Sequence, residues 1–230
     1  MHALLFSNSR NPDAGYLTHV LPALKPHIKP KANIAFVPFA GTSVSWSDYL
    51  VQVNTALTPL KAKITSMAEA KSAVTLVNEA DVIMVGGGNT FRLLAEMRAR
   101  GLLAPIAARV RAGEALFVGW SAGSNLACPT IRTTNDMPIL DPNGFDALGL
   151  VPYQINPHYT NAQPPGHQGE TRDQRIAEFL SVNPEVTVIG LPEGDWIEVQ
   201  GNVSTLHGPF EAKQFRAGCA VISVPSGTMF

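Results

Sequence analysis

The sequence predicts an α/β fold, a mostly parallel sheet with helices on both faces. Two observations carry that prediction. Short apolar runs of strand length alternate with segments of helical spacing along the chain. The clearest run, residues 81–85, ends in three consecutive glycines, and two further runs end directly in turns at Ser121 and at residues 192–195. In parallel sheets ligands bind outside the carboxyl ends of the strands, so these three turns are expected on one rim.

Taken in order, residues 3–7 form an apolar run, followed by helical spacing over 13–24. A second strand is expected at 34–38, with a helix at 46–60. A third strand fits 62–65, followed by a helix from about 67 to 79. After strand 81–85, Phe91, Leu93, Leu94 and Met97 define a helix over 90–100. Helix 103–112 leads to strand 115–118 and the Ser121 turn, and a strand-like piece follows at 153–155. The Pro- and Gly-rich stretch 161–169 reads as a long loop. Helix 171–181, strand 186–190 and short pieces at 196–199, 203–206 and 220–224, with hairpin character, complete the chain. No repeat or linker interrupts this order, so one domain spanning 1–230 is expected.

Bulk composition narrows the function classes. The 230 residues are 45% hydrophobic and 15% charged, with a formal net charge of −1, the profile of a packed globular protein. Without a basic run, nucleic acid and anionic membrane are not expected partners. No apolar stretch reaches spanning length and the first residues lack a signal-peptide pattern, so a cytoplasmic location is expected. Cys128 and Cys219 sit in no metal or redox spacing and read as reduced thiols. The six histidines are scattered, and their spacing predicts no metal site or cofactor.

Residues 119–123, Gly-Trp-Ser-Ala-Gly, lie between an apolar run and a small-residue stretch, the strand–turn–helix setting of a nucleophile elbow. The plainer reading is a turn in which Ser121 caps the helix. As a nucleophile, Ser121 needs a base, an orienting acid and two oxyanion donors. The N–H of Ala122 follows the nucleophile by position. The second donor is expected from Gly86-Gly87-Gly88-Asn89-Thr90, where Gly88 lets the backbone approach a carbonyl and Asn89 stands beside the substrate. A phosphate loop fits less well, because no Gly-Lys-Ser/Thr follows. Of the histidines, His2, His19, His27 and His207 adjoin none of the predicted site loops, and His167 lies within the long loop. His158 follows a strand-like run and is the preferred base. Two carboxylates are candidates for the acid. Glu193 stands on the predicted rim, and Asp136 lies in a segment dense in hydrogen-bonding groups, where a turn cap before Pro138 is the alternative.

Several of these runs together resemble a known family. They are 83–91, Gly119 through Pro138, Ile155-Asn156-Pro157-His158 and Gly190-Leu191-Pro192-Glu193-Gly194. In order and spacing they are similar to bacterial peptidase E, a serine peptidase family of α-aspartyl dipeptidases. The likeness runs from Leu5 to about Trp196; the last ~30 residues are less distinctive. The resemblance implies a fold like class I glutamine amidotransferase domains, Ser121 as nucleophile and His158 as base. It implies no metal and no cofactor. The substrate it implies is a small peptide with an N-terminal aspartate, Asp-X. For the third member it offers both a glutamate matching Glu193 and an aspartate matching Asp136; the rim argument favours Glu193. A substrate carboxylate calls for a guanidinium, with Arg172 preferred over Arg132, and the substrate ammonium calls for an acid such as Glu170. A glutamine-amidotransferase-like transferase would carry Cys where Ser121 stands. The remaining alternative is a non-catalytic protein of the same fold that binds a small metabolite. The sequence leaves the oligomeric state open.

Overall fold

The structure, a computed structural model, describes every residue except His167, so that histidine lies outside the described residues. Five parallel strands form the centre of the main sheet: β1 (His2–Phe6), β2 (Asn33–Val37), β3 (Lys63–Ser66), β4 (Val82–Val85) and β5 (Leu116–Trp120). Their order is β3-β2-β4-β5-β1, and the sheet is extended beyond β1 by an antiparallel hairpin of β8 (Trp196–Gln200) and β9 (Val203–His207). A second sheet holds β6 (Gln154–Asn156), β7 (Thr187–Gly190), β10 (Ala212–Arg216) and β11 (Ile222–Val224) in the order β11-β10-β7-β6. In it β6 and β7 are parallel.

The strand period divides the core. Leu4, Phe6, Ile34, Phe36, Met84, Val118 and Trp120 pack on one face with α1 (Leu21–Leu24) and α2 (Trp46–Leu57). Ala3, Leu5, Ala35, Val37, Ile83, Val85 and Phe117 pack on the other, against α3 (Ala73–Glu79), α4 (Thr90–Ala99), α5 (Leu103–Arg111) and α6 (Ala122–Ala127). Both faces are apolar because both are covered, the expected state of a parallel sheet. On the second sheet, α7 (Arg172–Ser181) buries Ile176 and Leu180 against Val188 and Phe215. Its start is fixed by a capping box between Thr171 and Gln174.

Two expected helices are shorter than their spacing suggested. Over residues 13–24 only Leu21–Leu24 is helical, because Asp13 and Leu17 take left-handed backbone (φ 57° and 56°) and Leu17 N–H donates to Ser9 O at 2.7 Å. Over 67–79 the helix begins only after Ser72, whose hydroxyl accepts from Thr75 N–H. The stretch 58–60 is a short 3-10 turn continuing α2. Strand β10 was not anticipated: its Lys, Gln and Arg positions carry no apolar run, and it is held by pairing with β7 and β11. The strand expected at 220–224 is β11, which pairs there and not with the β8–β9 hairpin.

The rim also differs from expectation. Turns after β4 and β5 lie at the carboxyl edge of the main sheet, but Glu193 follows β7 in the second sheet. The two edges are stitched together by hydrogen bonds. Ser7, just past β1, donates its hydroxyl to Leu191 O at 2.8 Å and its N–H to Asp195 O at 3.0 Å. Asn125 on α6 donates to Ile155 O on β6 at 2.7 Å. Glu193 thus reaches the site from a neighbouring sheet whose parallel pair ends beside that of the first.

Candidate active site

Ser121 sits between β5 and α6 with φ 53° and ψ −113°, a conformation L-residues rarely adopt. Flanking glycines permit it: a Cβ on Gly119 would lie 2.6 Å from Gly123 C, and one on Gly123 2.2 Å from Val85 O. Ser121 N–H donates to Phe6 O at 3.1 Å, and Ser124 Oγ donates to Phe6 O and Gly119 O at 2.7 and 3.0 Å. The Ser121 side chain does not cap α6. Its hydroxyl lies 2.8 Å from His158 Nε2.

His158 follows β6 and also has a positive φ of 53°. Its N–H donates to Ser7 Oγ at 2.8 Å, the carbonyl of Pro157 accepts from Asn135 Nδ2 at 2.7 Å, and Tyr159 N–H donates to Leu191 O at 3.0 Å. The imidazole therefore rests on backbone held from three sides. His158 Nδ1 lies 2.6 Å from Glu193 Oε1. A carboxylate only accepts, so Nδ1–H donates to Glu193 and Nε2 accepts the Ser121 hydroxyl. The Glu193 turn is anchored by Gly194 N–H on Asn8 Oδ1 at 2.9 Å.

The glycine loop 86–88 faces Ser121. A Cβ on Gly87 would approach Ser121 Cβ to 3.1 Å; one on Gly88 (φ 133°) would collide with Ala40 O at 2.2 Å. Among the described residues, neither Gly88 N–H nor Ala122 N–H donates a hydrogen bond, which leaves two backbone donors beside Ser121. Tyr49 holds the loop from behind. Its hydroxyl donates to Gly87 O at 3.0 Å and accepts from Trp120 Nε1 at 3.2 Å, with Tyr16 Oη 3.3 Å away. Burial raises both phenol pKa values, so Tyr16 and Tyr49 stay neutral donors. A cavity of about 260 Å³ opens over these groups, lined by Tyr16, Tyr49, Gly87, Gly88, Ser121 and His158 among others.

The other residues singled out in the sequence have different surroundings. Asp136 Oδ2 accepts from Thr90 N–H at 2.7 Å, Thr90 Oγ1 at 2.5 Å and Thr134 Oγ1 at 3.0 Å. It binds the amino end of α4, and the carboxylate at His158 is Glu193. Asn89 is the N-cap of α4: Oδ1 accepts from Arg92 N–H, and Nδ2 donates to Met137 O. Arg132 is exposed over the Phe179 ring. Glu170 is exposed, 3.9 Å from Arg175. Arg172 is drawn inward, donating to Asn135 Oδ1 and to Asn156 Oδ1 (3.2 Å), and burial lowers its pKa. With Arg132 it lines a separate cavity of about 320 Å³. Asn135 links that cavity to the His158 backbone through Pro157 O.

Sequence reasoning missed Ser7, Asn8, Tyr49 and Asn135. Ser7 and Asn8 carried the signal that marked the other loops, a polar pair directly after an apolar strand. Tyr49 and Asn135 act through contacts distant in sequence and carried none.

The model of peptidase family S51 matches residues 3–207. A Salmonella arizonae protein named Peptidase E is 53% identical over 230 residues, covering all of both chains. A Salmonella typhimurium protein of the same name is 52% identical with the same coverage. Among solved structures, a peptidase from an acI-B1 Actinobacterium superposes with a TM-score of 0.67 at 15% identity, covering 100% of this chain and 96% of that one; it supports the fold alone.

Proposed function

The chain belongs to peptidase family S51, a serine-type peptidase family, and on that premise we propose that it is an α-aspartyl dipeptidase with Ser121 as nucleophile. The observation that carries this reading is the hydrogen-bonded line Ser121 Oγ–His158 Nε2, His158 Nδ1–Glu193 Oε1, at 2.8 and 2.6 Å. His158 takes the Ser121 proton as Oγ attacks the carbonyl of the N-terminal residue. Gly88 and Ala122 N–H groups stabilise the oxyanion. The tetrahedral adduct collapses as His158 protonates the leaving amine, breaking the C–N bond and leaving an aspartyl ester on Ser121. Water then attacks the ester as His158 takes its proton, and His158 passes that proton to Ser121 Oγ as the ester C–O bond breaks and the free amino acid leaves. Glu193 holds the imidazole in the tautomer that accepts from Ser121.

The cavity over Ser121, at about 260 Å³, falls just under the roughly 300–1,000 Å³ of drug-sized pockets, a space for a short substrate. Among the six lining groups named above, His158 alone can carry charge, so an aspartate side chain needs its cation from next door. Arg172 is our candidate, because its Asn135 and Asn156 partners adjoin the backbone that carries His158. The test is kcat/KM on Asp-Leu against Ala-Leu. Wild type favours Asp-Leu, and Arg172→Ala lowers that preference by about 10- to 100-fold, the worth of a charge-assisted pair. An unchanged ratio removes Arg172 from recognition.

A further inference from the structure

Three of the six histidines lie far from Ser121, gathered around one carboxylate on the hairpin side of the main sheet. Strand register brings them together. β1 and β8 pair His2 with Gln200 and Leu4 with Glu198, and β8 and β9 pair Trp196 with His207. With a two-residue period, His2, Glu198 and His207 project from the same face. His27, in the turn after α1, meets them from above that face, its ring edge-on to His2 with centroids 4.7 Å apart.

The distances suit coordination. Glu198 Oε1 lies 3.0 Å from His2 Nε2 and 3.6 Å from His27 Nε2, and Glu198 Oε2 lies 3.6 Å from His207 Nε2. One donor atom each from His2, His27 and Glu198 falls within 4.8 Å of the others. Two ligands bound tetrahedrally at ~2.0–2.1 Å stand about 3.4 Å apart, between the 3.0 and 3.6 Å that separate Glu198 Oε1 from His2 and His27. His207, stacked on Trp196, has a shielded Nε2 with no hydrogen-bond partner among the described residues. Side-chain exposures of 31% for His2 and 23% for His27 leave a path from solvent, while Glu198 is largely covered at 14%.

We propose that His2, His27 and Glu198 form a binding site for one divalent transition-metal ion, with His207 positioned as a further ligand. Imidazole and carboxylate donors in this number fit zinc and nickel better than magnesium or calcium, which prefer all-oxygen shells. Bound there, the ion would tie β1, the β8–β9 hairpin and the turn after α1 together. The site stands apart from the Ser121 chemistry.

Zinc chloride titrated calorimetrically into the untagged full chain tests this. Wild type takes up one equivalent with micromolar or tighter affinity, and its thermal midpoint rises by several degrees. His27→Ala and Glu198→Gln each weaken binding by at least about tenfold and abolish the thermal shift, whereas His158→Ala leaves both intact. The His27 variant separates this site from simple chelation by the amino terminus and His2, which needs no His27. Glu198→Gln keeps the side-chain shape should His27→Ala fold poorly. No zinc uptake at about 100-fold above micromolar concentration, uptake indifferent to both variants, or uptake lost in His158→Ala would each overturn the proposal.

Discussion

Glu193 and Asp136 look equivalent as letters, each an acid in a polar turn, and differ wholly in what they touch. Glu193 meets the imidazole, while Asp136 neutralises the first turn of α4 through Thr90. Glu193→Gln is therefore expected to lower kcat by roughly 10²–10³ with little change in KM, since an amide no longer enforces the tautomer. Asp136→Asn is expected to cost about 1 kcal/mol of stability and leave kcat within a few-fold. Steady-state kinetics paired with thermal melts distinguish them, and a larger kcat loss in Asp136→Asn would reverse the assignment. At this scale Ser121, His158 and Glu193 were legible as site candidates because each stands a few positions beyond an apolar run. Asn135 was not, because its importance lies in a bond to Pro157, 22 positions away. Arg172 was legible as a cation, but not its withdrawal onto two asparagine side chains.

At the scale of elements, the segment between β7 and β8 holds a buried acid. Asp195, fully buried there, accepts from Phe210 N–H at 3.0 Å, and its other oxygen has no hydrogen-bond partner among the described residues. Burial pushes its pKa up to about 6. The folded chain then holds a proton that the unfolded chain, with a carboxyl near ~3.9, has released. Stability from this group is present in full below pH ~4 and is lost as pH rises towards about 6. Asp195→Asn is expected to remove that slope and raise stability above pH 7 by about 1–3 kcal/mol. Urea midpoints measured from pH 4 to 8 check it; an unchanged slope contradicts it. Helix lengths were the least legible feature here. Spacing over 13–24 and 67–79 reports which residues are buried, but left-handed backbone at Asp13 and Leu17 and the Ser72 cap decide where a helix can begin. β10 was hidden for the converse reason, since its pairing partners and not its own pattern make it a strand.

Over the whole molecule, a mostly parallel sheet covered by helices was legible from the alternation of apolar runs with helical spacing, but the strand order β3-β2-β4-β5-β1 was not. The split into two sheets was not, because nothing local in residues 153–190 says which edge β6 and β7 will join. That split matters for the proposed chemistry: Ser121 comes from one sheet, His158 and Glu193 from the other, and Ser7 bonds across the junction. The histidine cluster was hidden in the same way, because register sets His2 beside Glu198, almost 200 residues away in sequence, and the turn after α1 brings in His27. On the function proposed above, this junction builds a serine nucleophile for aspartyl peptides. Turnover of Asp-p-nitroanilide by wild type and Ser121→Ala, folded alike by circular dichroism, tests it most directly. Wild type is expected to release p-nitroaniline and Ser121→Ala to lose roughly 10⁴-fold or more in kcat; near-equal turnover by the two proteins would contradict the account.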